Sequence, residues 1–392
     1  MKSPWNWSQL NANRQLLQQG IMPWQIDRTA TFWENLALRL LERDCEDAAF
    51  AAFLRAARTE PTREWLGLFQ LWRIIERHHG ESGFTWGETA IDTFKQLAQQ
   101  HPGDRTCALN LAEALSRTGN FEAARPWYRQ ACQSSLESER PDLAQLPRTQ
   151  TPVPHFTVIG VMRSGTTALY QYLSQHPQIF PTARKEIHFW SWRYGRGLDW
   201  YLAHFPELPE SGDYITGEAS PSYFPHRKAP QRMFDAYPNM KLVAIFRNPV
   251  DRTISHYYHA RRHHTETRSL QEALRIHRDR FDRGDYKPNE NNNYFASSLY
   301  AVALERWLQV FPRDRLHVIF SEDLFQNPQD TLDRLCDFLG IPTYSIEASV
   351  NPNPGGYDAI DSTLRRELSE YFIPYNQKLA DLLQCPVPFA PP

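Results

Sequence analysis

Cysteine is scarce in this sequence. Five residues in 392, Cys45, Cys107, Cys132, Cys336 and Cys385, stand far apart with no C-x-x-C pair. That excludes a disulfide-built scaffold and a thiolate metal finger, and suits reduced thiols in a cytoplasmic protein. Also missing is any run of about 18 uncharged apolar residues, the length a membrane-spanning helix needs. The opening stretch MKSPWNWSQLNANRQ lacks the apolar core of a secretory signal. A soluble protein with a cytoplasmic location and no membrane span is therefore expected. Charge of one sign is missing as well: 43 Lys and Arg face 45 Asp and Glu, a formal charge of −2. No global field favours nucleic acid, so any anion site must be a local concentration of Arg and Lys. No His, Cys, Asp or Glu cluster has metal-ligand spacing. His256, His259, His263 and His264 follow helical spacing only in part and read as surface residues.

What the chain has in quantity is apolar surface, 41% of its residues. At this length it should build more than one core. Residues 1–30 are polar with scattered Trp and read as an N-terminal arm. Over 31–138 a pattern recurs: Ala49, Phe53, Ala56 and Pro61, then Ala90, Phe94, Leu97 and Pro102, then Ala124, Tyr128 and Ala131, with Leu111, Leu115 and Gly119 ahead of the third set. The second interval is 34 residues and the first 41. Small–aromatic–small at these offsets lets paired helices approach closely, and 34 is the tetratricopeptide period. This region therefore resembles a short tetratricopeptide (TPR) array, a module for a protein partner; the alternative is a generic helical domain. Residues 139–154 form a linker, part of a stretch with four prolines from Leu136 to Pro154.

From 155 to 392 short apolar strands alternate with helical segments: Phe156–Ile159, Tyr214–Ile215 running into Thr216-Gly217-Glu218, Leu242–Phe246 and Leu316–Phe320. That alternation predicts an α/β fold, a parallel sheet flanked by helices, preceded by the all-α domain. A helix is expected over Ser298 to Phe311. The amphipathic stretch from Ser362 to Leu383 is expected to kink or split at Pro374.

The first strand ends in GVMRSGTTALYQYL. Gly160 and Gly165 lie five apart, the spacing of the phosphate-cradling loop G-x-x-x-x-G-K-[ST], whose backbone N–H groups converge on phosphate at a helix N-terminus. Where a triphosphatase has Lys this chain has Thr166, and the nearest basic residue is Arg163. A 5′-phosphate suits such a loop better than a triphosphate; the bland alternative is an ordinary strand–helix turn. A second anion site follows the strand Leu242–Phe246, where Arg247 and, eight residues on, Ser255 span a strand-to-helix turn on the same rim of the sheet. Two such sites point to a ligand phosphorylated at two positions. The third feature is Lys185-Glu186-Ile187-His188-Phe189-Trp190. Glu186 and His188 at alternate positions would share one side of an extended stretch, with Glu186 a candidate general base; alternatively both are ordinary half-buried residues.

The order and spacing of GVMRSGTTALYQYL, KEIHFW, GEASPSYF and IFRNPVDRTISHYYH over residues 155 to 385 resemble the sulfotransferases that use 3′-phosphoadenosine 5′-phosphosulfate (PAPS), in their heparan-sulfate and tyrosylprotein branch. That resemblance implies the sulfotransferase fold and transfer of a sulfuryl group from PAPS to a hydroxyl or amine by in-line displacement, without a metal. It assigns Arg163, Ser164, Gly165, Thr166 and Thr167 to the 5′-phosphosulfate and Arg247 and Ser255 to the 3′-phosphate. Glu186 becomes the general base, with His188 beside it holding the acceptor. The loop from Asn351 to Tyr357, with Gly355 and Gly356, would fold over the nucleotide. Two departures stand out: Ala219 occupies the place where heparan-sulfate enzymes commonly have Lys, and their cysteine-closed hairpin is missing. The acceptor is left open among a glycan, a small molecule and a carrier-bound substrate. Aromatics Phe189, Trp190, Trp192, Tyr194, Tyr223 and Tyr294 read either as stacking groups for it or as core. The competing readings are a P-loop kinase or nucleotide hydrolase, against which Thr166 stands, and a non-catalytic TPR scaffold on a nucleotide-binding fold, against which Glu186 and Arg247 stand.

Overall fold

The structure is a computed structural model and describes residues 29–65, 69–77, 85–149, 152–210, 212–263, 265–284, 294–347 and 360–389. The N-terminal arm and the Asn351–Tyr357 loop with Gly355 and Gly356 lie outside the described residues. The chain divides between Ala144 and Gln145 into two compact units.

The first unit is helical. Its helices run Ala30–Leu41, Glu46–Thr59, Phe69–Arg77, Trp86–Gln100, Arg105–Arg117, Phe121–Glu139 and the short Pro141–Ala144. Two starts are capped in the expected way: the Thr29 hydroxyl accepts from Phe32 N at 3.3 Å, and the Asp104 carboxylate from Cys107 N at 2.7 Å. The recurrent positions Ala49, Phe53 and Ala56, Ala90, Phe94 and Leu97, and Ala124, Tyr128 and Ala131 are all buried. Their spacing puts each set on one helix face, and the small residues let neighbouring backbones approach.

The second unit holds a five-stranded parallel sheet: β1 (Phe156–Gly160), β2 (Ile179–Pro181), β3 (Ile215–Ala219), β4 (Lys241–Phe246) and β5 (Leu316–Phe320), in the order β2-β3-β1-β4-β5. Four strands stand where the apolar runs predict them. The short edge strand β2 is the one the sequence pattern leaves out, because it is 3 residues long and ends in proline. Alternate residues face opposite layers. Phe156, Val158, Val243 and Ile245 share one core with Leu169, Leu173, Leu332 and Leu335. On β4, Phe246 instead stacks on Tyr300 with centroids 4.5 Å apart. The helix expected over Ser298 to Phe311 is shorter, a 3₁₀ turn, Ala296–Ser298, and a helix, Tyr300–Leu308, while Ser362–Leu383 is one helix with Pro374 inside it and does not split there.

The chain leaves β1 for the far edge at β2, returns to β3 beside β1, and then crosses to β4 on the other side. The reversal is centred on β1. In open α/β sheets the ligand crevice lies beyond the carboxyl ends of the strands at such a reversal. The loops after β1, β2, β3 and β4 are those that carry the sequence motifs.

Candidate active site

The loop after β1 is built on two glycines with different tasks. Gly165 takes φ +102°, a conformation that strains any side chain, and the helix Thr166–Ser174 starts directly after it. At Gly160 an added Cβ would lie 2.6 Å from Phe224 Cβ, so glycine there lets the segment after β3 pack onto β1. Between them Arg163 also has a positive φ of 70°. The Ser321 hydroxyl donates to the Ser164 carbonyl, and Thr167 is exposed at the helix start. Amides at this end of a helix have no partner within it, and its dipole favours an anion there.

Arg163 reaches across the loop: its Nε donates to Ser255 Oγ at 3.2 Å. Arg247, at the end of β4, directs one guanidinium nitrogen at the Arg163 carbonyl at 3.4 Å. Its backbone is held by Tyr300, whose hydroxyl donates to the Arg247 carbonyl at 2.9 Å. Asn248 follows as a helix cap, its side chain accepting from Val250 N and Asp251 N, while Glu322 accepts from Asn248 N at 2.9 Å. The structure thus brings Arg163, Arg247 and Ser255 together at the tips of β1 and β4.

A third arginine belongs to this cluster. Arg252 is fully buried on the helix Pro249–Arg262; it donates to the Met162 carbonyl at 3.0 Å, to the Tyr294 carbonyl at 2.6 Å and to Ser298 Oγ at 3.1 Å, and lies 2.8 Å from His256 Nδ1. Burial pushes its guanidinium down to about 10, with the Arg163 and Arg247 charges adding to the effect. Arg252 therefore bolts the loop after β1 to that helix. Its place three residues after a helix-starting proline is the only hint in the sequence.

Glu186 and His188 stand on the other side of the loop, at the tip of β3. They are not extended: φ is +64° at Glu186 and +59° at His188, so the segment turns sharply instead of running as a strand. Glu186 N donates to the Ala219 carbonyl at 3.0 Å. The two side chains still meet, with His188 Nε2 3.6 Å from Glu186 Oε2 and Lys185 Nζ 2.8 Å from Glu186 Oε1. Burial pushes the Glu186 carboxyl up, but contact with His188 and the Lys185 ammonium outweighs it and holds the group well below the usual carboxylate range. Burial takes His188 down to about 4, against the pull of Glu186, so the ring is neutral at pH 7. His188 Nδ1 lies 2.8 Å from Ser222 Oγ. A neutral ring then serves Glu186 best by accepting from Ser222 and turning its Nε2–H to the carboxylate.

Burial first, and the Arg163 charge next, lower His259 on the helix Pro249–Arg262 to about 4, with the Glu186 charge opposing them. The expectation that these histidines are surface residues holds for His263 but not for His256, which is buried on the same helix, nor for half-buried His259; His264 lies outside the described residues. The aromatics divide cleanly. Phe189, Trp190, Tyr223 and Tyr294 are core, while Trp192 and Tyr194 are 50% and 42% exposed. The Trp192 ring lies 4.7 Å from that of His188.

Glu218 is a functional candidate that the sequence reading passed over in favour of its neighbour Ala219. It is wholly buried, and burial raises its carboxyl to about 7 even though the Ser220 and Tyr223 hydroxyls both donate to it. Among the described residues no group of three or more His, Cys, Asp or Glu is arranged to hold a metal ion, and no helix is long and apolar enough to cross a membrane.

Comparison with known proteins decides the family, for residues 153–353 match the sulfotransferase domain. The chain belongs to the sulfotransferases. Its relatives include the bifunctional heparan sulfate N-deacetylase/N-sulfotransferase 4 of Mus musculus, 29% identical over 276 residues, which cover 62% of this chain and 31% of that protein. Another is the membrane-associated sulfotransferase kil1 of Dictyostelium discoideum, 27% identical over 320 residues, covering 60% of this chain and 68% of that one. This sulfotransferase thus spans about a third of the length of the mouse relative. A solved sulfotransferase from Alicyclobacillus acidocaldarius is 33% identical with a TM-score of 0.50, covering 60% of this chain and 97% of that one. Sulfuryl transfer is accordingly the general activity of the domain.

Proposed function

We propose that this sulfotransferase takes PAPS as its donor and passes the sulfuryl group to a hydroxyl or amine, with Glu186 as general base. The observation that carries the reading is the convergence of Arg163, Arg247 and Ser255 at the β1 and β4 tips, with the Glu186 carboxylate at the neighbouring β3 tip. The arginines and hydroxyls suit a nucleotide with two phosphate groups. Ser164, Gly165, Thr166 and Thr167, at the loop and helix start, would hold the 5′-phosphosulfate; Arg247 and Ser255 would take the 3′-phosphate as a charged fork and a neutral donor.

In the transfer the acceptor oxygen or nitrogen forms the new bond to sulfur while the bridging S–O bond to the 5′-phosphate breaks. Adenosine 3′,5′-bisphosphate leaves, and the acceptor's proton passes to Glu186. Arg163 and the loop amides stabilise the charge that develops on the departing phosphate. Glu186 is ionised at neutral pH, as a proton acceptor must be. Its depressed pKa makes it a weak base, so it acts late, once bonding to sulfur has acidified the acceptor. His188 steadies that carboxylate. Half-exposed Trp192 beside it offers a flat face to an acceptor carrying a ring.

The test is the substitution Glu186→Gln, measured by calorimetric titration with adenosine 3′,5′-bisphosphate and by transfer from labelled PAPS across an acceptor panel. Bisphosphate affinity should stay within about twofold while transfer falls by about 10² to 10⁴. Full transfer by the variant would overturn the base assignment, and a preference of the native protein for Mg-ATP over the bisphosphate would overturn the donor.

A further inference from the structure

The turn that carries Glu186 and His188 is held from beneath by a group with no evident part in the chemistry. His188 N donates to Ser220 Oγ at 3.0 Å, and that hydroxyl donates to Glu218 Oε2 at 2.6 Å. In parallel, Phe189 N donates to Tyr223 OH at 2.9 Å, and that hydroxyl donates to Glu218 Oε1 at 2.6 Å. Two consecutive amides of the turn are thereby relayed to the two oxygens of one buried carboxylate.

We propose that Glu218 is a positioning residue, a carboxylate clamp that sets the backbone of 186–189 through Ser220 and Tyr223 and so aims Glu186 and His188. The importance of this aim rests on the reading of Glu186 as the base. The chemistry of the clamp is specific. An ionised carboxylate only accepts, so both hydroxyls must donate to it, and each keeps its lone pairs to accept from the amide beside it. The arrangement fixes direction as well as contact. It is needed because Glu186 and His188 both occupy the left-handed region, which side-chain-bearing residues leave unless their surroundings hold them there. The sheet anchors the segment at Glu186 N, on Ala219 of β3. Beyond that point the amides of His188 and Phe189 go to the relay. The Ser222 hydroxyl completes it from the side, lying 2.8 Å from His188 Nδ1 and 2.9 Å from Ser191 Oγ.

Gln at position 218 keeps the shape but presents an NH₂ donor to one hydroxyl, which must then turn its own proton away from position 218, while the other hydroxyl loses its charge-assisted acceptor. The experiment follows amide hydrogen exchange by NMR in the full chain at about pH 8, where the Glu218 carboxylate is mostly ionised. It compares the native protein with Glu218→Gln, Ser220→Ala, Tyr223→Phe and Glu186→Gln. The expected result is residue-specific. Ser220→Ala should speed exchange at His188 on the order of tenfold or more, Tyr223→Phe at Phe189, and Glu218→Gln at both. In all three the amides of β1 should keep their native rates, and the ¹⁵N signals of the His188 ring should move in Glu218→Gln as its contact with Glu186 changes. Bisphosphate affinity should be retained within about twofold, because the loop after β1 is untouched. Native exchange at both amides in Glu218→Gln would overturn the proposal. So would a uniform rise across β1 and β3, which is the mark of general destabilisation. Glu186→Gln should leave both amides protected, so a failed base assignment and a failed clamp give different results. Should Glu218→Gln not fold, the two hydroxyl variants decide the matter by their separate patterns.

Discussion

Removing the Arg247 side chain separates the two proposed anion sites most cleanly. Arg247 is half-buried at the end of β4, and its hydrogen bond to the Arg163 carbonyl, at 3.4 Å, is long. Truncation to Ala therefore costs the fold little. The backbone beneath is kept by the Tyr300 hydroxyl and by the stacking of Tyr300 on Phe246, and Arg252 continues to hold the loop through the Met162 carbonyl. What is lost, on the proposed reading, is one guanidinium fork to the 3′-phosphate. Hydrogen bonds to charged groups are worth about 1.5–3 kcal/mol, and about 1.4 kcal/mol is tenfold in affinity. Arg247→Ala should thus weaken adenosine 3′,5′-bisphosphate by roughly 10- to 100-fold while changing adenosine 5′-phosphate by less than about threefold. Calorimetric titration of both nucleotides at one ionic strength reads the ratio. Equal losses would show that Arg247 acts on the general field of the crevice and not on a 3′-phosphate, and the two-site reading would fall.

Three further outcomes are expected. Gly165→Ala forces a side chain into φ +102°, within 3.1 Å of the Phe325 ring; it should cost about 1–3 kcal/mol in chemical denaturation and reduce bisphosphate affinity, and a neutral result on both would refute the loop geometry. Trp192→Ala should raise the KM for the acceptor with little change in bisphosphate affinity, whereas a loss of bisphosphate affinity alone would remove Trp192 from the acceptor side. Buried Glu266 carries an acid-stability signature: desolvation pushes its carboxyl up, but hydrogen bonds from Arg268 and Tyr294 outweigh that and take it down to about 2. Its folded value lies below its unfolded one, so its contribution is present above the ordinary carboxylate range and fades as pH falls towards about 2. Glu266→Gln should cost about 2 kcal/mol at pH 7, a figure kept low because Arg268 is a third exposed, and should flatten the fall in stability with acid; an unchanged acid limb would refute the assignment.

Much of this protein is written in local pattern. Strands β1, β4 and β5 are apolar runs bounded by polar or glycine signals, β3 is announced by Tyr214–Ile215, and a parallel sheet follows because helical segments separate them. The anion loop is equally legible, since only glycine tolerates the conformation at position 165 and the close approach at position 160. The burial of Ala49, Phe53, Ala90, Phe94, Ala124 and Tyr128 follows from helical periodicity alone. Arg247 and Ser255 are placed by a general rule of open sheets, that ligands gather beyond the strand ends.

Tertiary structure decided what depends on partners distant in the chain. Glu186 and His188 meet through a left-handed turn and not along a strand, because Ala219 and Ser220 take up their amides. Arg252 became the bolt of the loop only when the Met162 and Tyr294 carbonyls, far away in sequence, closed on it. Which aromatics are core and which face solvent was likewise settled by packing, which covers Trp190 and leaves Trp192 half open. Glu218 shows the division most sharply. The residue type is visible in the sequence, but its burial, its raised pKa and its grip on two amides come from contacts between 186–189 and the end of β3. Local propensity and periodicity determine the elements and the glycine-dependent turns; the energetics of a buried charge belong to whatever the fold brings around it.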